Sequence, residues 1–130
     1  MRQLTSMNEE VKSRMISFER QCEQLCQDLY HQYRDCFKNS GELVVDFLRK
    51  KKCKIASATE MFDPGYESFI EIGIERDEEF YSYQYITIWK CRNEWCQRIG
   101  YSTPFSIEEL RQTIVHTIEE MMTDEGEEQV

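Results

Sequence analysis

The alternating stretch over residues 80–91 constrains the fold more than any other part of the chain. A period of two places successive side chains on opposite faces of a β-strand. One face would carry Tyr81, Tyr83, Tyr85 and Trp89, and the other face would carry Phe80, Ile86 and Ile88. Either face could be buried, and an aromatic row left in solvent would form a recognition surface.

Period-two patterns also predict strands on both sides of this stretch. The segments 54–62 and 67–75 are separated by a Pro-Gly turn, and a last strand is predicted over residues 95–101. Proline presets φ and glycine accepts positive φ, so this turn sequence favours a hairpin. Four strands in sequence order predict an antiparallel meander.

Helical periodicity dominates the two ends of the chain. Ser6 and Glu9 form a capping-box pattern that opens a first helix, whose apolar stripe extends to about residue 37. Ser106 and Glu109 form a second capping box ahead of a C-terminal amphipathic helix. A short second helix is predicted after Gly41, with the cations of residues 49–52 at its negative C-terminal end. Its apolar face would consist of Leu43, Val44, Phe47 and Leu48.

The predicted architecture is a single α+β domain over residues 1–123, in the order α-α-β-β-β-β-α. A long N-terminal helix and a short second helix precede a four-stranded antiparallel β-meander and the C-terminal helix. The segment 124–130 is acidic and lacks an apolar anchor, so it is predicted to be a disordered tail. The first helix would be about 45 Å long, and the stripe over residues 11–37 therefore predicts a homodimer.

Charge limits the class of partner. The chain has a net charge of -9 and a pI of about 4.8. Nucleic acid and anionic lipid repel such a protein at long range, so neither direct nucleic-acid binding nor membrane binding is expected. A basic protein partner fits better. No apolar run reaches the ~20 residues that cross a bilayer, and no secretory signal is apparent, so a cytoplasmic location is predicted.

The cysteines and histidines of the chain are the residues that could bind a metal or take part in catalysis. Cys22 and Cys26 lie one helical turn apart, and Cys91 and Cys96 flank a predicted turn, so a zinc site is an alternative to buried reduced thiols. The spacing is looser than in common zinc motifs.

Neither His31 nor His116 has a nucleophile paired with it, and phosphate-binding and hydrolase motifs are missing. We therefore predict no enzymatic activity and no cofactor.

These patterns favour a small acidic, non-catalytic protein that binds and inhibits a larger basic partner, such as a nucleic-acid-binding protein. The closest analogy is with inhibitors that serve as accessory proteins of phages and mobile elements. The predicted partner-binding residues combine acidic side chains with the aromatic row: Glu71, Glu75, Asp77, Glu78, Glu79, Tyr81, Tyr83, Tyr85, Trp89, Glu119 and Glu120.

Two other functions are compatible with the sequence. The aromatic row could line a pocket that sequesters a nucleotide or another small molecule, with Arg92 or Arg98 available for an anionic ligand. Alternatively, the protein could be a chaperone-like escort that exposes apolar surface to another polypeptide. A change in Trp89 fluorescence on ligand addition would favour the pocket, and dye binding to exposed apolar surface would favour the escort.

Overall fold

A computed structural model describes the chain from residue 1 to residue 128, with side-chain environments through Glu125. The helices are α1 (Glu9–Tyr33) and α2 (Ile107–Glu128), and short 3-10 turns occupy Arg34–Phe37 and Ala58–Glu60. The strands are β1 (Arg2–Leu4), β2 (Glu42–Lys51), β3 (Lys54–Ile55), β4 (Tyr66–Arg76), β5 (Glu79–Glu94) and β6 (Gln97–Ser102). They form one antiparallel sheet in the order β1-β6-β5-β4-β2-β3.

The isoleucine row of β4 marks the covered face of this sheet. Ile70, Ile72 and Ile74 are 0 % exposed and belong to one core with apolar side chains of α1 and α2. Both helices therefore pack on the same face, and the α+β class is confirmed. The intervening β4 side chains point to the opposite face, which neither helix covers. The core residues contributed by the helices include Met15, Cys22, Leu25, Leu29, Leu110, Ile114, Ile118 and Met121.

The predicted second helix is wrong, because the segment forms strand β2. Leu43 and Val45 are buried toward the helices, whereas Val44 and Leu48 point to the opposite face. The same apolar residues also cluster on one side of a helix, so periodicity alone was ambiguous. Because every residue of β2 pairs with β4, the segment is a strand and not a helix. The cations near residue 50 consequently lie in a hairpin and not at a helix end.

The strand count also differs from the four-stranded prediction. The predicted strand over 54–62 is reduced to β3 and is followed by a 3-10 turn that Ser57 and Glu60 cap reciprocally. Strands β4, β5 and β6 correspond to the other three predicted strands and form the meander. Strands β1 and β2 extend the sheet at its two sides.

The first helix begins at a different cap from the one predicted. Asn8 is the N-cap, and its side-chain oxygen accepts a hydrogen bond from the Val11 N–H at 2.9 Å. The helix ends at Tyr33, before a 3-10 turn. Its apolar stripe is buried against the sheet, so the stripe itself no longer requires a second copy. The homodimer through residues 11–37 stays a prediction.

The start of α2 confirms the predicted capping box. Ser106 Oγ accepts a hydrogen bond from the Glu109 N–H, and Glu109 Oε1 accepts one from the Ser106 N–H, each at 3.1 Å. The helix continues to Glu128, past the predicted boundary at residue 123, so the segment expected to be disordered is helical as far as the description reaches. Residues 129 and 130 lie outside the described chain. Neither described helix combines the length and the apolar composition needed to cross a bilayer.

A buried polar cluster fixes α1 on the sheet. Glu19 is only 1 % exposed, and its carboxylate oxygens accept hydrogen bonds from the Tyr66 hydroxyl at 2.9 and 3.1 Å. Arg49 Nε donates to the same carboxylate at 3.3 Å, and Arg49 Nη1 reaches Glu23 at 3.5 Å. Because Arg49 belongs to β2 and Tyr66 to β4, the cluster ties α1 to two neighbouring strands.

We expect Tyr66→Phe to lower the free energy of unfolding by about 1–3 kcal/mol, since it removes a donor to a buried carboxylate. Burial raises the pKa of Glu19 above its ordinary value of 4.5, and the Ser68, Tyr66 and Arg49 groups oppose that rise. The stability that Glu19 contributes is therefore highest below pH 4.5 and falls as pH rises through the folded-state pKa. Losing the Tyr66 hydroxyl should accordingly lower the free energy of unfolding more above the folded-state pKa of Glu19 than below pH 4.5.

Urea denaturation followed by circular dichroism at both ends of the pH window would measure this difference. Tyr85→Phe is the matched control, because the Tyr85 hydroxyl donates to Glu67 in a hydrogen bond that is exposed to solvent. That control should change stability little and without a pH trend. An equal cost of Tyr66→Phe at both pH values would contradict the prediction.

Candidate protein-interaction surface

Two β-bulges in β5 decide which aromatic side chains reach solvent. The pairing of β5 with β4 skips one residue at Tyr83 and another at Ile88. Each skipped residue exchanges the two faces of the strand beyond it. Strict alternation therefore fails across residues 80–91, and the predicted aromatic row does not share one face.

The four rings of that row occupy different environments. Trp89 is fully buried under the helices, where its Nε1–H donates to a main-chain carbonyl at 2.9 Å. Tyr83 lies on the same side, and its hydroxyl donates to Glu125 of α2 at 3.1 Å. Tyr85 lies on the uncovered face. Tyr81 pairs with the buried Ile74 and therefore lies on the helix side, next to the turn between β4 and β5. Only Tyr81 and Tyr85 are exposed.

The face of the sheet opposite the helices, here called the open face, carries a stacked pair of rings. The centroids of Phe69 and Tyr85 are 4.6 Å apart, and the ring planes differ by 22°. The Lys50 ammonium lies 5.2 Å from the first centroid and 5.5 Å from the second. The Tyr85 hydroxyl donates to Glu67 at 2.5 Å. This part of the open face is thus internally compensated in charge.

Carboxylates concentrate farther along the open face, where β2 begins and β4 ends. The register places Glu42 directly opposite Glu75 and Asp46 directly opposite Glu71. The two-residue turn between β4 and β5 and the first residue of β5 extend this group. We call the whole group the acidic end: Glu42, Asp46, Glu71, Glu75, Asp77, Glu78 and Glu79.

The cross-strand pairs of the acidic end are electrostatically unfavourable. Like charges that face each other in an antiparallel pair destabilise the sheet. Loss of solvent raises the pKa of the Asp46 carboxyl, and the charge of Glu42 raises it further. Among the described residues, no lysine or arginine forms an ion pair with Glu42, Asp46, Glu71 or Glu75. The negative charge is therefore not neutralised within the described chain.

Two exposed rings border the acidic end. Phe80 is 41 % exposed and packs over Gly73, where an added Cβ would overlap its ring. Tyr81 is also 41 % exposed, and its hydroxyl donates to Glu79 at 2.9 Å. The Arg76 guanidinium lies 4.9 Å from the Tyr81 ring and forms an ion pair with Glu125 at 2.8 Å. The acidic end thus combines carboxylates with accessible aromatic surface.

Apart from Tyr83, Tyr85 and Trp89, the predicted site residues fall into two groups. Six of them lie at the acidic end, namely Glu71, Glu75, Asp77, Glu78, Glu79 and Tyr81. Glu119 and Glu120 instead lie exposed on α2, on the helix side of the sheet. Glu120 is 3.0 Å from His116 Nε2. One flat partner surface cannot contact the open face and these two helix residues together.

Sequence reasoning missed three members of the surface. Glu42 and Asp46 were placed next to or within a helix that does not exist, although alternation through Leu43 and Val45 was a usable strand signal. Phe80 was assigned to the face of Ile86 because the bulge at Tyr83 leaves no clear mark in the sequence.

The cysteines of the zinc alternative do not converge on one site. Cys22, Cys26 and Cys91 are buried in the core, and Cys96 is exposed in the turn between β5 and β6. Burial raises the pKa of Cys26 to about 12 and that of Cys91 to about 11, which favours the protonated thiols. Within residues 1–128, no group of three or more His, Cys, Asp or Glu side chains could hold a metal ion.

No family model matches the chain, and neither the curated proteins nor the solved structures include a significant match.

We expect Asp46→Asn to raise the free energy of unfolding by about 0.2–1 kcal/mol, because it removes one of two carboxylates that face each other. The raised pKa of Asp46 means that the wild-type protein loses stability as pH rises from 3.8 through the folded-state pKa. Asparagine does not ionise, so the variant does not lose stability over this pH range. High salt screens the repulsion and should reduce the gain.

Denaturation at neutral pH, in low and in high salt, would measure the effect. Asp35→Asn is the control, since Asp35 lies 3.6 Å from Lys38 Nζ and its loss relieves no such cross-strand repulsion. A lower stability of Asp46→Asn than of the wild-type protein would contradict the repulsion argument.

Proposed function

We propose that this protein is a non-catalytic binding protein whose acidic end docks on a basic surface of a larger protein. The observation that carries the proposal is the register that places Glu42 opposite Glu75 and Asp46 opposite Glu71, on a face that neither helix covers. Lysine and arginine side chains of a partner would convert this repulsion into ion pairs on docking. Complementary charge of this kind raises association rates and selects among partners.

Exposed rings supply the apolar part of the proposed interface. Phe80 lies on the open face opposite Glu75, and Tyr85 lies farther along that face at 43 % exposure. Tyr81 extends the apolar surface around the β4–β5 turn on the helix side. Aromatic side chains are enriched at the energetic centres of protein interfaces, where neighbouring polar groups exclude water. We therefore assign binding energy mainly to the rings, and orientation and association rate mainly to the carboxylates.

Inhibition follows if the basic surface of the partner is one that binds nucleic acid. The two carboxylate pairs are four residues apart along the strands, which corresponds to about 13 Å. A row of charges on a rigid sheet could occupy a groove whose cations normally contact phosphates. The partner would then be unable to hold nucleic acid and this protein at the same time.

The pocket-based alternative has less support. Sequestration as first considered requires four aromatic rings around one cavity, but Trp89 and Tyr83 lie on the helix side. A cavity of about 450 Å³ beside the β2–β3 hairpin is lined instead by residues that include Phe47, Leu48 and Phe69. The escort function, the cytoplasmic location and the phage or mobile-element origin stay predictions.

Charge reversal on the open face tests the proposal. In the double variant Glu71→Lys/Glu75→Lys, each new lysine faces a carboxylate of β2, so we expect stability to be unchanged or higher. Partner binding should nevertheless weaken at least about tenfold, because several interfacial ion pairs are lost. The matched control is Glu119→Lys/Glu120→Lys, which makes the same charge change on α2.

The measurement begins with affinity capture from an isotope-labelled extract of the cells that make the protein. A basic protein retained by the wild type and by the helix variant, but lost with the sheet variant, is the expected partner. Calorimetry with that purified partner then gives the affinity change, and excess duplex DNA should displace the protein if it inhibits. Equal retention by both double variants would contradict the proposal.

A further inference from the structure

The end of the sheet opposite the acidic end is basic. Strands β2 and β5 run in the same direction, because each is antiparallel to β4, which lies between them. The hairpins that follow β2 and β5 therefore project from one end of the sheet. We call this region the basic end, and its cations are Lys50, Lys51, Lys52, Lys54, Lys90, Arg92 and Arg98. It also contains the carboxylates of Asp63, Glu94 and Glu67, and the register places Glu67 between Lys50 and Lys90.

Each hairpin of the basic end has one apolar side chain in solvent, Trp95 in the β5–β6 turn and Ile55 in β3. The register places Ile55 level with Lys90, five residues before Trp95, so one surface contacts both side chains when the strands are tilted toward it. Ile55 is 97 % exposed and Trp95 is 93 % exposed, whereas the next most exposed large hydrophobic residue of the described chain, Met1, is 49 % exposed. Trp95 has a φ of 53°, a left-handed conformation that bulky residues rarely adopt. The tight turn thus keeps the indole away from the protein body, although the conformation itself is unfavourable.

Three of the seven cations of the basic end neither pair with a carboxylate nor face one across the sheet. Lys51 pairs with Asp63 at 3.0 Å, and Arg92 lies 3.8 Å from Glu94. Within residues 1–128, no ion pair involves Lys52, Lys54 or Arg98. The basic end therefore combines uncompensated positive charge with two projecting apolar side chains.

We propose that the basic end docks on an anionic lipid surface, with Ile55 and Trp95 inserted among the headgroups. Tryptophan favours the boundary between headgroups and acyl chains, because its ring is apolar and its N–H is polar. Lysine and arginine beside it are attracted to anionic lipid. An aliphatic side chain such as Ile55 offers no face for base stacking, so the pair fits lipid better than nucleic acid.

The net charge of the whole chain does not prevent this contact. The earlier expectation of no membrane contact depended on the total of -9, but the structure separates the charges along the strands. Strand β4 has 11 residues and is about 36 Å long, several times the Debye length of about 8 Å at physiological salt. The acidic end is therefore screened from a surface that the basic end touches, and it remains free for a protein partner.

Three exposed cysteines provide positions at which a fluorescent dye can be attached to test the proposal. Cys53 and Cys96 lie in the two hairpin turns of the basic end, and Cys36 lies in the 3-10 turn that precedes β2 at the opposite end. These three thiols are exposed, while the other three cysteines are buried. Three variants would each keep one exposed cysteine, with the other two changed to serine, and would carry a polarity-sensitive dye on that thiol.

The probe is a vesicle made of three parts phosphatidylcholine to one part phosphatidylserine, compared with pure phosphatidylcholine. We expect dye emission at Cys53 and Cys96 to shift to the blue with the anionic vesicles alone. Dye at Cys36 should not respond. An equal response at Cys36, or no response at either hairpin position, would overturn the proposal.

Substitutions at the tips separate insertion from charge attraction. Ile55→Ser/Trp95→Ser should weaken vesicle binding at least about tenfold, because two apolar side chains no longer enter the lipid. Lys52→Glu/Lys54→Glu should abolish the preference for anionic vesicles. The control Phe80→Ser/Tyr81→Ser removes two exposed rings at the acidic end and should bind vesicles as the wild type does.

Circular dichroism melts should show that the tip variants remain folded, since the altered side chains project into solvent. Single-stranded oligonucleotide is the competing probe for the basic end. If it bound through Trp95 while the vesicles produced no dye response, the basic end would be a nucleic-acid site and the lipid proposal would be wrong.

Discussion

Burial of the β4 isoleucine row under both helices is the constraint on which the rest of the structure depends. Strand β4 pairs with β2 on one side and β5 on the other, so its orientation sets that of the central sheet. Because side chains alternate along a strand, burying Ile70, Ile72 and Ile74 places Glu71 and Glu75 on the open face. Burial of this isoleucine row thus forms the core and also creates the acidic surface.

The antiparallel order then converts an uneven sequence charge into a polarised molecule. Carboxylates of β2, β4 and the β4–β5 turn meet at one end of the sheet, and cations of two hairpins meet at the other. Like-charged residues that face each other at the acidic end are expected to lower stability. Separate contacts at the two ends would let one small domain connect a lipid surface to a protein partner.

Local signals predicted those elements whose residues satisfy one period alone. The capping box of Ser106 and Glu109 located the start of α2, and the Ile-Glu alternation identified β4. Strand β2 was missed because Leu43, Val44, Phe47 and Leu48 fit a helical face as well as a strand. That error removed Glu42 and Asp46 from the predicted site and placed the neighbouring cations at a helix end.

The sequence by itself determined that this chain has amphipathic helices at both ends, a strand-rich centre and charge of unequal sign along its length. Only the tertiary structure decided which face of each strand is exposed to solvent. The bulges at Tyr83 and Ile88 exchange the faces of β5 twice, and they arise from pairing with β4 and packing under the helices. Strand order likewise depends on contacts between distant residues, so the separation of acidic and basic ends cannot be read from local periodicity.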